Sequence, residues 1–183
     1  PAWSEQSNIY EVNLRQYTAS SSIKDFEKSL PRLKKMGVEI LWFMPINPIG
    51  NEGRKMTGND LGSYYSVRDY KAVNAEFGSM NDWKQLVKLA HSMGCKVIID
   101  WVPNHTSPDN PWIKNHPGFY QRDSLGNTAY DNDYTDTRNL DYENRELRDS
   151  MIDAMKFWLK ETGIEGYRCD HVDPIPIEFW KQC

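Results

Sequence analysis

The sequence contains little cysteine and no long apolar segment. Three cysteines in 183 residues cannot build a disulfide framework, and their spacing is not that of a zinc site. The longest apolar run, residues 40–46, has Pro45 inside it and is far shorter than a membrane-spanning helix. Residues 1–11 are polar and lack the apolar core of a signal peptide. We therefore expect no membrane span and no targeting segment in this sequence, and the compartment stays open.

Positive charge does not predominate in the sequence. The 22 Lys and Arg residues are outnumbered by 26 Asp and Glu residues, which gives a net charge of −4. A mildly acidic chain offers no basic surface to a phosphate backbone, so we expect no nucleic-acid partner. No G-x-G-x-x-G segment follows the first predicted strand, which argues against a dinucleotide-binding fold. In contrast, 7 Trp and 10 Tyr are many for this length, and they either fill a core or stack on sugar rings.

A pattern of helix, glycine and strand occurs three times, closed at Gly37, Gly94 and Gly163. Alternating helices and strands predict βαβ units and a parallel sheet, either in a (β/α)8 barrel or in a doubly wound sheet. The predicted strands are Ile9–Tyr17, Val38–Met44, the β-branched run Val97–Ile99, and Gly166–Val172.

The helix boundaries are indicated by capping residues and by one proline. Pro31, inside the periodic segment that starts at Ile23, predicts a kink or a break. Ser79 and Asp82 form a capping box in front of the next helix, and Asn144 caps a third.

Two long polar stretches, Asn47–Ala72 and Ser107–Glu143, show no helical period. Long loops inside a compact domain are usually functional. A complete barrel needs eight strands and at least ~200 residues, and only four strands are visible in the sequence. We therefore predict an α/β chain that forms the first four βα units of a TIM (β/α)8 barrel, with residues 107–143 as a small irregular insertion after strand 3.

Polar side chains crowd the ends of two buried strands. Asp100, Asn104 and His105 follow the third strand. Arg168 and Asp170 lie two residues apart in the fourth, so we expect them on one face. Such strand ends carry the chemistry of α/β enzymes, and an Arg that lowers the pKa of an Asp suits a carboxylate nucleophile. The alternatives are a structural salt bridge and a loop histidine that is satisfied by its neighbours.

Two short signatures carry a resemblance to a known family. Asp100–His105 has the pattern D-x-x-x-N-H, and Gly166–Asp170 has the pattern G-x-R-x-D. With the flanking stretches Ile9–Thr18, Gly37–Pro45 and Gly62–Tyr70, the sequence resembles the α-amylase family, glycoside hydrolase family thirteen, over its whole length.

The resemblance implies a retaining mechanism on α-glucosidic bonds of starch-like glucans. It makes Asp170 the nucleophile and Arg168 its positioning residue. His105 and Tyr65 then hold the sugar at the cleaved bond, and Asp100 orients the polar cluster.

The resemblance also implies an inserted small domain over residues 107–143 and a possible calcium ion. Asn104 is the candidate calcium ligand, because its amide oxygen suits a hard cation. Asn139 stands before Leu140 where many members of the family have an aspartate ligand, and residues 173–174 lack the Lys and His that often contact the leaving group.

The family's general acid, a glutamate on strand five, has no counterpart before Cys183, where the sequence stops. We therefore expect residues 1–183 alone to be inactive, and to pair with the missing half of the barrel or with a second copy. The expected substrate is an α-glucan or a maltooligosaccharide. The alternatives are a transglycosylase or isomerase of the same family, and a non-catalytic member that binds glucan or serves as an interaction domain.

Overall fold

Helices and strands alternate along the chain, as the glycine-closed pattern predicts. The computed structural model describes residues 2–55 and 61–183; residues 56–60, which fall in the predicted loop Asn47–Ala72, lie outside the described residues. In chain order the elements are β1 (Ile9–Val12), α1 (Leu14–Tyr17), α2 (Ile23–Glu27), α3 (Leu30–Lys35), β2 (Ile40–Phe43), α4 (Met80–Ser92), β3 (Lys96–Trp101), β4 (His105–Thr106), α5 (Trp112–Asn115), β5 (Arg138–Asn139), α6 (Arg145–Thr162), β6 (Gly166–Cys169) and α7 (Ile177–Gln182).

The main sheet has four strands in the order β1-β2-β3-β6. β1 and β2 run parallel, with Ile9 opposite Ile40, and β2 and β3 run parallel, with Ile40 opposite Lys96. Parallel neighbours cannot be joined by a tight turn, so helices provide the crossovers. The predicted parallel sheet of successive βα units is confirmed.

The predicted first strand, Ile9–Tyr17, is wrong in its second half. β1 ends at Val12, and the next residues form the helical turn α1. Val12 lies opposite Phe43, the last residue of β2, and the Val12 carbonyl accepts a hydrogen bond of 2.9 Å from the Met44 amide. Because β2 itself ends at Phe43, the chain leaves the sheet after Val12. Leu14 is then buried as the first residue of α1.

The predicted helix boundaries are confirmed. α2 ends at Glu27 and α3 begins at Leu30, with Pro31 in its first turn, where a missing amide hydrogen does no harm. Ser79 Oγ accepts from the Asp82 amide at 3.1 Å while Asp82 Oδ2 accepts from the Ser79 amide at 2.8 Å, which completes the capping box. Gly94 follows α4 with a φ of +73°, a left-handed conformation that favours glycine.

The chain folds as two compact units. The first comprises residues up to Ile46, Ala72–Trp101 and Phe157–Arg168; the second comprises Asn47–Lys71, Val102–Lys156 and Cys169–Cys183.

The first unit contains the sheet and its core. Phe43 from β2 packs edge-on against Phe26 at 5.2 Å and against Trp83 of α4 at 5.0 Å. Val97 and Ile99, on one face of β3, are fully buried, whereas Ile98 between them is only partly buried. The predicted burial of this β-branched run on both faces is therefore confirmed for one face only.

The second unit is mostly irregular and is held together by buried tyrosines. Tyr70 Oη donates to the carbonyl of Val102 at 2.7 Å, and Tyr142 Oη donates to the carbonyl of Pro103 at 2.6 Å. β4 and β5 form a small antiparallel pair. The predicted insertion, residues 107–143, lies within this unit, and its boundaries as a separate small domain stay a prediction.

Within residues 2–55 and 61–183, no helix has the length and apolar character needed to cross a membrane.

Candidate active site

A partly buried ion pair joins the ends of β3 and β6 in the first unit. Arg168 Nη1 lies 3.2 Å from both carboxylate oxygens of Asp100. The Asp100 side chain is fully buried, whereas that of Arg168 is 40% exposed, with its guanidinium 5.2 Å from the Trp42 ring centroid. Sequence spacing led us to expect Arg168 beside Asp170, and this partnership with Asp100 was not predicted. Asp170 belongs to the second unit, and the role of Arg168 as its positioning residue stays a prediction.

His105 at the start of β4 is fixed by hydrogen bonds to both of its ring nitrogens. Nε2 lies 3.0 Å from the carbonyl oxygen of Tyr65, so Nε2 carries the hydrogen. Nδ1 then accepts from the Asn104 amide nitrogen at 3.2 Å. Burial lowers the pKa of His105, with a smaller contribution in the same direction from His171, so the ring is neutral near neutral pH.

This burial predicts a pH dependence of stability. The pKa of His105 lies below its ordinary value of 6.5 in the folded chain, so below that pH the unfolded chain binds the proton more readily. The stability due to neutral His105 is therefore present above pH 6.5 and is lost as the pH falls through the lowered pKa. From about pH 7 to about pH 5, the free energy of unfolding in urea should fall more steeply for the wild type than for His105→Gln. Equal slopes for the two proteins would contradict the assignment.

A cavity of about 830 Å³ lies within the second unit. Five of the residues singled out from the sequence line it: Tyr65, Asn104, His105, Asn139 and Asp170. Asp100 and Arg168 belong to the first unit. The other lining residues are Arg54, Lys55, Gly62, Ser63, Asp131, Asn132, Tyr134, Asp136, Thr137 and His171. A cavity of this volume, with polar and aromatic walls, suits a ligand of oligosaccharide size.

Sequence reasoning missed most of the polar wall. Lys55 Nζ lies 2.5 Å from Asp133 Oδ2 and 5.9 Å from the ring centroid of Tyr134. Asp131 was missed as well, and its Oδ1 accepts a hydrogen bond of 2.9 Å from Nδ2 of Asn139. The signal that was available is the run Asp-Asn-Asp-Tyr-Thr-Asp at residues 131–136, which concentrates sugar-binding residue types inside the predicted insertion.

His171, next to Asp170 in the chain, has a φ of +48° and lines the same cavity. This left-handed conformation is uncommon for a residue with a side chain, and such residues cluster at functional sites.

Calcium stays a prediction from the resemblance. Asn104 uses its amide nitrogen toward His105, so a cation would use the amide oxygen Oδ1. Among the described residues, no three His, Cys, Asp or Glu side chains converge on a point where a metal ion could be held.

The fold and the side chains that follow its strands define the class of the chain. Parallel strands linked by helices, with polar residues directly after the strand ends, are the architecture of (β/α)8-barrel enzymes. A family model described as the α-amylase catalytic domain matches residues 23–136 and 127–180. The chain belongs to the α-amylase family.

Solved structures and curated relatives agree with this assignment. The chain is similar to an α-amylase from Lactobacillus plantarum, with 38% identity, a TM-score of 0.91, and coverage of 96% of this chain and 41% of that one. A noncanonic maltogenic α-amylase from Thermotoga neapolitana gives 41% identity, a TM-score of 0.87, and coverage of 95% and 41%. The predicted family and TIM-barrel fold are confirmed.

Curated relatives include both hydrolases and transferases. An α-1,4-glucan:maltose-1-phosphate maltosyltransferase from Burkholderia pseudomallei is 30% identical over 175 residues, which covers 85% of this chain and 15% of the relative. Alpha-amylase 2 from Dictyoglomus thermophilum is 27% identical, with coverage of 99% and 34%. The chain thus spans less than half the length of each of these relatives.

Proposed function

We propose that this chain provides the nucleophile of a retaining enzyme that acts on α-glucosidic bonds, with Asp170 as that nucleophile. The observation that carries the proposal is the cavity in the second unit, where Asp170 shares the walls with Tyr65 and His105. Membership of the α-amylase family supports the choice of an α-glucan as substrate.

The reaction proceeds in two displacements at the anomeric carbon. In the first, an Asp170 carboxylate oxygen bonds to that carbon while its bond to the leaving oxygen breaks, and the leaving oxygen takes a proton from a general acid. In the second, a hydroxyl group attacks the same carbon, gives its proton to the conjugate base of that acid, and releases Asp170 as a carboxylate. Two inversions retain the α configuration. We assign the general acid to no residue in the ranges 2–55 and 61–183.

In this proposal His105 is a positioning residue: it holds Tyr65 in place for the sugar. The Nε2–H of His105 holds the Tyr65 backbone carbonyl, and Asn104 fixes the other side of the imidazole ring. An anchored backbone restrains the Tyr65 ring, which is then ready to stack on a pyranose face. A direct hydrogen bond from His105 Nε2 to a sugar hydroxyl would have to replace the one to Tyr65.

The attacking hydroxyl belongs either to water or to a second sugar. The maltosyltransferase relative, at 30% identity, favours including transfer as a second candidate reaction. Hydrolysis releases a free reducing end, whereas transfer lengthens an acceptor chain, so the two are separated by product mass.

The full-length protein should release products in the α configuration from maltooligosaccharides. Proton NMR within the first turnovers, before mutarotation, reads the anomer directly, and mass spectrometry of the same samples distinguishes hydrolysis from transfer. A β anomer as the initial product, or intact substrate after prolonged incubation with a range of α-glucans, would contradict the proposed function.

A further inference from the structure

A second cavity, of about 360 Å³, lies in the same unit and shares no lining residue with the first. Its walls come from residues 68–71, from α5 and the residues on either side of it (110–116), and from α6. The volume falls at the lower end of the range typical of small-molecule sites, about 300–1,000 Å³.

Trp112 gives this cavity a rigid aromatic wall. Its ring packs against Tyr70 at a centroid distance of 5.1 Å and edge-on against Phe119 at 5.4 Å. Its backbone is fixed too, because its amide donates to Asn110 Oδ1 at 2.9 Å and its carbonyl accepts from the His116 amide at 2.8 Å. Tyr70 and Phe119 are buried, whereas Trp112 remains partly exposed and lines the cavity. The indole surface is thus preorganised before any ligand arrives.

The four charged side chains that line this cavity balance to no net charge; they are Arg68, Asp69, Lys71 and Asp153. Lys71 Nζ lies 2.5 Å from Asp153 Oδ2, and Arg68 Nε lies 3.7 Å from Asp109 Oδ2. A charged ligand would have to compete with these pairs, whereas a neutral ligand leaves them in place. Amide and hydroxyl groups, such as those of Asn115 and Ser150, supply donors and acceptors beside the aromatic ring.

We propose that this second cavity is a saccharide-binding site separate from the candidate active site, with Trp112 as its stacking platform. A neutral sugar presents an apolar face to the indole and hydroxyl groups to the surrounding amides and carboxylates. The choice of an α-glucan as the ligand rests on the proposed function. The class of ligand, a neutral saccharide, rests on the aromatic wall and the balanced charges alone. The site holds a polymeric substrate while a distant part of it reacts.

The test compares retention by a polymer with turnover of a short substrate. Retardation of the full-length protein is measured by electrophoresis in gels with and without soluble α-glucan, and kcat/KM is measured on a short nitrophenyl maltooligosaccharide. Trp112→Ala should weaken retention about fivefold to tenfold, as expected for a lost stacking contact, while kcat/KM on the short substrate changes less than about twofold. Trp3→Ala, at a partly exposed tryptophan of the first unit, is the matched control and should behave like the wild type.

A second variant distinguishes loss of saccharide binding from loss of folding, since Trp112→Ala could cause either. Ser150→Gln places a longer neutral side chain from α6 into the cavity and leaves Trp112 and its packing intact. It should also weaken retention. Unchanged retention in both variants, or a loss in Trp112→Ala that is absent in Ser150→Gln, overturns the proposal.

Failure of this proposal is distinguishable from failure of the proposed function. An active enzyme whose retention is independent of Trp112 refutes the second site only. Retention that depends on Trp112, in a protein that cleaves no α-glucan, supports the second site and refutes the proposed function.

Discussion

Replacing Asp170 with Asn should lower kcat on maltooligosaccharides by roughly 10⁴- to 10⁶-fold, which is the scale seen when an enzyme loses its covalent nucleophile. The amide is nearly isosteric with the carboxylate, so the shape of the cavity persists. It is a far weaker nucleophile and cannot form the ester to the anomeric carbon. Substrate affinity, measured by calorimetry, should change far less than kcat.

Asp149→Asn is the matched control for this substitution. Asp149 is an exposed carboxylate on α6 in the same unit, and it does not line the 830 Å³ cavity. The control should keep kcat within about threefold of the wild type, because water and salt screen an exposed charge that does not line the cavity. If Asp170→Asn loses less than about tenfold, or if both variants lose equally, Asp170 is not the nucleophile.

Replacing Arg168 with Met should destabilise the fold by about 3 kcal/mol, which is the lower end of the range for breaking a buried pair. The fully buried carboxylate of Asp100 then loses the guanidinium that lies 3.2 Å from both of its oxygens. The lower end applies because the Arg168 side chain is 40% exposed, so water screens part of the interaction. The unbranched Met side chain retains part of the packing over Trp42. Urea unfolding with an unchanged m-value gives the free-energy difference.

The double variant Asp100→Asn, Arg168→Met tests whether the loss comes from the buried Asp100 charge in the absence of the guanidinium. It should be more stable than the sum of the two single losses implies, since neither charge remains. Lys84→Met is the control, because Lys84 and Glu161 form an ion pair of 3.1 Å with both side chains at least 40% exposed. That change should cost less than about 1 kcal/mol. Similar losses for Arg168→Met and Lys84→Met would contradict a coupled pair whose carboxylate is buried.

Local features were predicted well from the sequence because their causes are local. The capping box of Ser79 and Asp82 spans three residues, and the break between α2 and α3 follows from Pro31 alone. The parallel sheet followed from repeated units of the same kind. The error at Ile9–Tyr17 arose because the end of β1 is set by β2, about thirty residues further along the chain, through the pairing of Val12 with Phe43.

The candidate site was predicted only in part, for the same physical reason. Asp170 and His105 stand out because polar residues rarely follow buried strands without a function. The hydrogen bond from His105 to Tyr65 joins residues 40 positions apart, and the pair of Arg168 with Asp100 joins residues 68 apart. No periodicity or spacing rule encodes such contacts, since they depend on which loops and strand ends the fold brings together.

The central claim is that Asp170 forms a covalent bond to the anomeric carbon, and trapping that bond tests it most directly. A glucosyl fluoride with a second fluorine on the sugar ring has a leaving group that needs no proton. The ring fluorine slows both formation and breakdown of the glycosyl-enzyme, because both transition states resemble an oxocarbenium ion, whereas the fluoride leaving group speeds formation alone. After incubation with the full-length protein and proteolysis, mass spectrometry should find one glycosyl adduct, on the peptide that contains Asp170. The adduct should be absent from Asp170→Asn. An adduct on a different carboxylate, such as Asp131 or Asp136 of the same cavity, would contradict the account.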